Sequence, residues 1–152
     1  MKTTPLFICL IIIALSFNSC EKDKSKRIEE IGYGTSFGMC VGYCLNELSI
    51  STDEVVFSKT KNGDKPEPKT CKEEITPAEV DALKKLVNTS EFVKLPKVIG
   101  CPDCADGGAE WVSLRLDGDL KTVKFDYGKA PNELKALVTK LRALKEEFKD
   151  CN

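Results

Sequence analysis

Two pairs of closely spaced cysteines constrain this 152-residue chain more than any other feature. One pair lies in Cys40-Val-Gly-Tyr-Cys44 and the other in Cys101-Pro-Asp-Cys104, and glycines beside both pairs suit tight turns. Two further cysteines, Cys71 and Cys151, stand far apart. In an exported protein of this size, six such thiols are typical of a disulfide framework.

The first twenty residues indicate export. Leu6 to Phe17 is an apolar run of twelve residues with one polar member, which is too short for a membrane-spanning helix of about 20 residues and typical of a secretory signal. Ser19-Cys20 follows, and then a charged stretch from Glu21 to Arg27. This arrangement resembles a bacterial lipoprotein signal of Gram-negative outer membranes. The resemblance implies a lipid, palmitate included, on Cys20.

The domain organisation follows from that signal. Residues 1–19 are predicted to be the lipoprotein signal peptide, residues 20–30 a charged flexible tether, and residues 31–152 a single α+β domain. The protein is then exported and lipid-anchored to the outer membrane, facing the periplasm or the cell surface. An ordinary cleaved signal, which would release a free secreted protein, is the alternative.

Composition restricts the activities that such a domain can have. The chain contains no histidine, which excludes Ser-His-Asp and Cys-His nucleophile systems and removes the commonest metal ligand. A formal net charge of −1 argues against a nucleic-acid surface, which needs a clustered excess of basic residues. We therefore expect a non-catalytic protein without a cofactor.

Sequence periodicity predicts two hairpins and two helices. Strands are expected near residues 45–51, 54–59, 111–116 and 122–127, with Asp117-Gly118 as a hairpin turn, while residues 61–72 read as a loop. Thr76, Pro77 and Glu79 form a helix start, and Pro131 opens a second amphipathic helix. The predicted fold is a disulfide-stabilised, two-layer α+β domain of order ββαββα, in which two helices cover an antiparallel sheet of four or five strands.

The first cysteine corner carries a resemblance. Cys40-Val-Gly-Tyr-Cys44 before a strand, a turn and a second strand is similar to a family of small domains of unknown function with a Cys-x-Gly-x-Cys corner. The resemblance spans residues 31–148, and its specific part is Cys40, Gly42 and Cys44. The family implies a helix, a second hairpin and a closing helix, but no activity.

The cysteines allow three interpretations. Six thiols permit 15 pairings, and we expect the scaffold pairing Cys40 with Cys44, Cys101 with Cys104, and Cys71 with Cys151. Alternatively, Cys101 and Cys104 form the redox pair of a thiol-disulfide oxidoreductase. In the third interpretation, a metal-binding protein holds zinc on the thiolates of both close pairs.

The remaining candidates are carboxylates and one aromatic side chain. A weak calcium site could be drawn from acidic residues between positions 103 and 119, although solvated loops have the same composition: Asp103, Asp106, Glu110, Asp117 and Asp119. Trp111, the only tryptophan, is expected to pack on a disulfide or at the sheet edge, or to anchor a ligand if it is exposed. We predict a binding module for a protein, peptide or glycan at the envelope, without nucleic acid.

Overall fold

The computed structural model describes residues 26–63 and 66–151, which form one mixed sheet of seven strands with helices on one side. The strands are β1 (Ile28–Ser36), β2 (Tyr43–Ile50), β3 (Glu54–Lys61), β4 (Lys69–Glu74), β5 (Val98–Ile99), β6 (Ala109–Leu116) and β7 (Asp119–Asp126). Their order across the sheet is β4-β3-β2-β1-β6-β7-β5. All neighbouring pairs are antiparallel except β5 with β7. The proposed signal peptide and Cys20 lie outside the described residues.

Three α-helices accompany the sheet: α1 (Pro77–Lys84), α2 (Thr89–Phe92) and α3 (Lys135–Glu147). Two single 3₁₀ turns, Cys104–Asp106 and Phe148–Asp150, complete the regular structure of the described residues. The start of α1 has the capping box that its sequence predicts, because the Thr76 hydroxyl accepts from the Glu79 N–H and the Glu79 carboxylate accepts from the Thr76 N–H. None of the helices in the described ranges is long and apolar enough to cross a membrane.

The predicted two-helix ββαββα fold is wrong. The described sheet has seven strands rather than four or five, it includes a parallel pair, and three short helices accompany it. The sheet is larger chiefly because β1 lies at its centre and β4 forms from residues that read as a polar loop. Strand β1 also begins at Ile28, within the stretch expected to be a tether.

The two faces of the sheet differ in chemistry. The helix face carries the apolar side chains of alternate strand positions, such as Ile31, Leu48 and Val112, which pack against Leu137 and Leu141 of α3 in one core. The opposite side, here called the open face, carries small and polar residues at the positions between them. A strand's period of two places these sets on opposite sides. The helices therefore bury one face and leave the other to solvent.

A buried carboxylate connects α3 to the sheet. Glu110 on β6 is fully buried and accepts hydrogen bonds from the Tyr33 hydroxyl (2.6 Å), the Gly128 N–H (3.1 Å) and the Arg142 guanidinium (Nε 2.7 Å, Nη2 2.5 Å). Burial alone would raise the pKa of Glu110, but the donors, Arg142 foremost, outweigh it and hold the pKa below 4.5. Burial and the neighbouring Glu110 raise the pKa of Tyr33, so the phenol stays a neutral donor. Both oxygens of the Glu110 carboxylate therefore accept hydrogen bonds.

We predict that Glu110→Gln destabilises the protein by about 2–3 kcal/mol at pH 7, because an amide offers one acceptor oxygen to donors that now share two. The lowered pKa of Glu110 means that its contribution is complete above pH 4.5 and is lost as the pH falls through the folded-state value. Urea unfolding between pH 3 and 7 measures both effects. The variant should therefore lose less stability on acidification than the wild type.

Glu30→Gln is the matched control. Glu30 also pairs with an arginine, Arg115, but both side chains are partly exposed, so the control should lose less than about 1 kcal/mol. Equal losses from Glu110→Gln and Glu30→Gln would contradict the role given to the buried network.

Candidate binding surface

Two glycines shape a groove on the open face. Gly32 and Gly34 lie on β1 opposite Ser113 and Trp111 of β6. A Cβ atom on Gly34 would lie 2.1 Å from the indole of Trp111, and one on Gly32 would lie 2.1 Å from the Ser113 hydroxyl. The indole therefore leaves room only for glycine at position 34, whereas at position 32 a side chain would require the Ser113 hydroxyl to rotate away. The result is a shallow groove of ≈240 Å³ along β1.

The groove is lined by hydroxyl and carboxylate groups. Ser49 and Ser58 stand on its β2–β3 side, with Glu47 beside them, and Trp111 and Ser113 stand on its β6 side. Within the described part of the chain, the side chains of Glu47, Ser58 and Ser113 make no hydrogen bond or ion pair, so their polar atoms are available to a ligand.

The charge at one end of the groove is fixed by a small network. Ser49 donates a hydrogen bond to Glu30 at 2.7 Å, and Arg115 donates to the same carboxylate at 3.1 Å. The hydrogen bond from Ser49, together with Arg115, lowers the pKa of Glu30 despite its partial burial. Glu30 is therefore a negative acceptor at neutral pH, oriented by two side chains that also border the open face.

Trp111 does not lie at the sheet edge, one of the positions expected from the sequence, because β6 is an interior strand. It lies in the interior of the sheet between Gly34 of β1 and Lys124 of β7, with the Lys124 ammonium 5.9 Å from the ring centroid. The Trp111 residue is partly exposed to solvent. A large flat ring beside polar groups provides the combination of apolar area and hydrogen-bonding partners that ligand sites use.

The two close cysteine pairs meet at one end of the sheet. We call the end of the sheet at which β1 ends, at Ser36, the distal end. The end at which β1 begins, at Ile28, is called the proximal end. The Asp103 carboxylate accepts from the Gly38 N–H at 3.3 Å, and the rings of Phe37 and Tyr127 are 4.8 Å apart. Both cysteine loops are therefore joined through the side chains beside them.

The presence of disulfides is confirmed. Cys40 is bonded to Cys44 and Cys101 to Cys104, while Cys71 of β4 is bonded to Cys151 after α3, the same three pairs that were expected. In this state, neither close pair offers thiolates to zinc. The described residues contain no group of three or more cysteine or acidic side chains placed to hold a metal ion.

The Cys101–Cys104 loop lacks the local feature that activates a thiol. Only one 3₁₀ turn follows, and its backbone is left-handed at Asp103, Ala105 and Asp106. A helix N-terminus, which stabilises a thiolate, is therefore not formed at this pair. Aspartates at positions 103 and 106 add negative charge instead.

The acidic residues considered for calcium are not brought together. Asp103 lies at the distal end, whereas Asp117 and Asp119 belong to the β6–β7 turn beside Arg27 at the proximal end. Glu110 is on the helix face and bonded to Arg142. These carboxylates cannot share one ion.

The sequence interpretation missed the groove itself. Its signal was the alternation along β1, where Gly32 and Gly34 lie between the core residues Ile31, Tyr33 and Thr35. Small residues at every second position of a central strand leave a channel on one face.

No protein-family model matches the chain, and no curated protein matches it. The geometry of the described residues therefore carries the functional assignment.

The disulfides are expected to contribute unequally to stability. Cys71 and Cys151 are 80 residues apart, so removing their bond by a double serine substitution should cost about 4 kcal/mol on the chain-entropy estimate. Removal of Cys40–Cys44, with a separation of 4 residues, should cost about 2 kcal/mol. Urea unfolding of both double variants measures this difference, and the reverse order, or a peptide map joining Cys71 to another cysteine, would contradict it.

Proposed function

We propose that this chain is an outer-membrane lipoprotein, anchored through Cys20, whose domain is a non-catalytic module that binds glycans on its open face. One observation carries the proposal: the only tryptophan of the chain borders a groove over Gly32 whose lining includes hydroxyl and carboxylate groups. Among the described elements, the helices all pack on the other face, so ligand access to the groove needs no rearrangement.

The groove suits the chemistry of a sugar. A pyranose ring has an apolar face that stacks on an aromatic side chain and a rim of hydroxyls that donate and accept hydrogen bonds. Trp111 supplies the aromatic surface, Ser58 and Ser113 both donate and accept, and Glu47 accepts. A purely apolar ligand would leave these polar groups unpaired and is disfavoured.

The position of the anchor supports binding at the envelope. Strand β1 enters the sheet at Ile28, eight residues after Cys20, and runs toward the distal end. Its residues advance by about 3.3 Å each, so Gly32, the glycine that lines the groove, lies roughly 13 Å along the sheet from Ile28. The groove therefore lies away from the end of the sheet at which β1 begins.

The lipid anchor is tested by cell fractionation. In the full chain expressed in a Gram-negative bacterium, Cys20→Ser should abolish labelling by palmitate and move the protein from the membrane to a soluble fraction. Cys9→Ser, a change to the other cysteine of the leader, should leave both unchanged. Membrane retention and labelling of the Cys20→Ser variant would contradict the anchor.

The glycan site is tested by tryptophan fluorescence, because Trp111 is the sole fluorophore of its kind. Titration of the full-length Cys20→Ser protein with soluble xylan, laminarin, dextran and peptidoglycan fragments should shift or quench the emission in a saturable manner with at least one of them. Stacking on the indole removes water from the ring, which is the reason for the change.

Substitutions that add bulk and positive charge to the groove test whether glycans bind there. The pair Glu47→Lys and Ser58→Arg should weaken that binding at least tenfold, since both side chains project into the groove without supporting the core. Glu133→Lys, a charge reversal at an exposed position outside the groove, should bind as the wild type does. Binding that none of these changes affects, or no response to any glycan, would contradict the proposal.

A further inference from the structure

A second concave surface lies on the opposite side of the molecule. Helices α1 and α3 border a cleft of ≈470 Å³ beside β4, the edge strand of the sheet. Its apolar lining includes Leu83 and Phe148, which are buried, and Leu86 and Leu144, which are only partly buried. The cleft therefore exposes apolar surface next to the core, where neither helix covers it.

The lining residues follow helical spacing on both helices. Helix α1 and the turn after it contribute Glu79, Ala82, Leu83 and Leu86, and α3 contributes Lys140, Ala143, Leu144 and Glu147. Each set has the positions i, i+3, i+4 and i+7, which form one stripe along two turns of a helix, about 10 Å long. The two stripes border the same cleft, so a third helix could pack between α1 and α3 and contact both of them.

Alanines allow close approach at the middle of each stripe. Ala82 and Ala143 are exposed in the structure, so no larger side chain fills the cleft from either helix. Helices pack with axes 8–10 Å apart when the side chains at the contact are small. The cleft is thus shaped for an inserted helix rather than for a flat surface.

The acidic side chains around the cleft favour a basic partner. Four carboxylates line it, from Glu73, Glu74, Glu79 and Glu147, against one ammonium, from Lys140. Glu73, Glu74 and Glu147 form no ion pair within the ranges that the structure describes. Glu147 also lies in the last turn of α3, where the helix dipole disfavours a negative side chain, so helix stability does not account for it.

We propose that the α1–α3 cleft is a docking site for an amphipathic helix of a partner protein, with an apolar stripe and flanking lysine or arginine residues. The apolar stripe would cover Leu86 and Leu144, and the basic flanks would face Glu73, Glu74 and Glu147. This site is distinct from the glycan groove, which lies on the other face of the sheet and uses none of these residues.

The probe is a 14-residue peptide with leucine at one helical stripe and lysine elsewhere, compared with a peptide in which glutamate replaces every lysine. Calorimetric titration into the full-length Cys20→Ser protein at about 150 mM salt, where exposed charges are screened over about 8 Å, should show saturable one-to-one binding of the lysine peptide. Binding of the glutamate peptide should be at least tenfold weaker. Equal binding of both peptides, or of neither, would overturn the proposal.

Variants locate the binding site. Ala143→Trp fills the cleft and should weaken binding of the lysine peptide at least tenfold, whereas Thr139→Trp, at an exposed position on a different face of the same helix, should change it less than twofold. Glu74→Lys combined with Glu147→Lys should reverse the preference between the peptides. Thermal unfolding of each variant verifies that the fold is intact.

Two other outcomes identify a different occupant. Concentration-dependent dimerisation that Ala143→Trp abolishes would show that a second copy of this chain covers the cleft, and it would overturn the proposal. Peptide binding that survives both Ala143→Trp and the double charge reversal would place the binding elsewhere and overturn it as well. Fluorescence titration with glycans should be unaffected by the Glu74→Lys and Glu147→Lys pair, which adds no tryptophan, so failure at one site does not affect the other.

Discussion

The buried Glu110 carboxylate is the constraint on which the arrangement of the layers depends. A charge without solvent is tolerated only with several donors in place, and Glu110 takes them from three parts of the chain: Tyr33 on β1, Gly128 after β7 and Arg142 on α3. An apolar contact between helix and sheet allows sliding, whereas this network fixes one position of α3. The apolar alternation of the strands decides which face of the sheet is covered, and the buried carboxylate helps to fix the position of α3 on that face.

Side-chain size determines the shape of the open face. Most central strands gain stability from large side chains on both sides, yet β1 has Gly32 and Gly34 on its open side. Trp111 and Ser113 of the neighbouring strand occupy the space, which recovers part of the lost packing. The strand still exposes a polar channel at its centre.

The sequence predicted local features well and global ones poorly. The capping box at Thr76 and the turn at Asp117-Gly118 depend on neighbouring residues, and both are present. Strand β1 was absent from the predicted strands, and the residues that pack over its glycines lie on β6, about 80 residues away. Strand β4 was read as a loop because its exposed edge position suits polar residues. The groove and the cleft each combine residues from distant segments, so spacing alone could not reveal them.

The Cys71–Cys151 disulfide, besides constraining the unfolded chain, holds β4 at the border of the cleft. β4 is a polar edge strand of six residues, with little apolar area to hold it in place. Cys71 ties it to Cys151, and Phe57 of the adjacent strand stacks on Phe148 with ring centroids 5.4 Å apart. The strand end that carries Glu73 and Glu74 is thereby held beside the end of α3 that carries Glu147. The disulfide therefore supplements the pairing of β4 with β3, and it links the strand that carries Glu73 and Glu74 directly to the chain that follows α3.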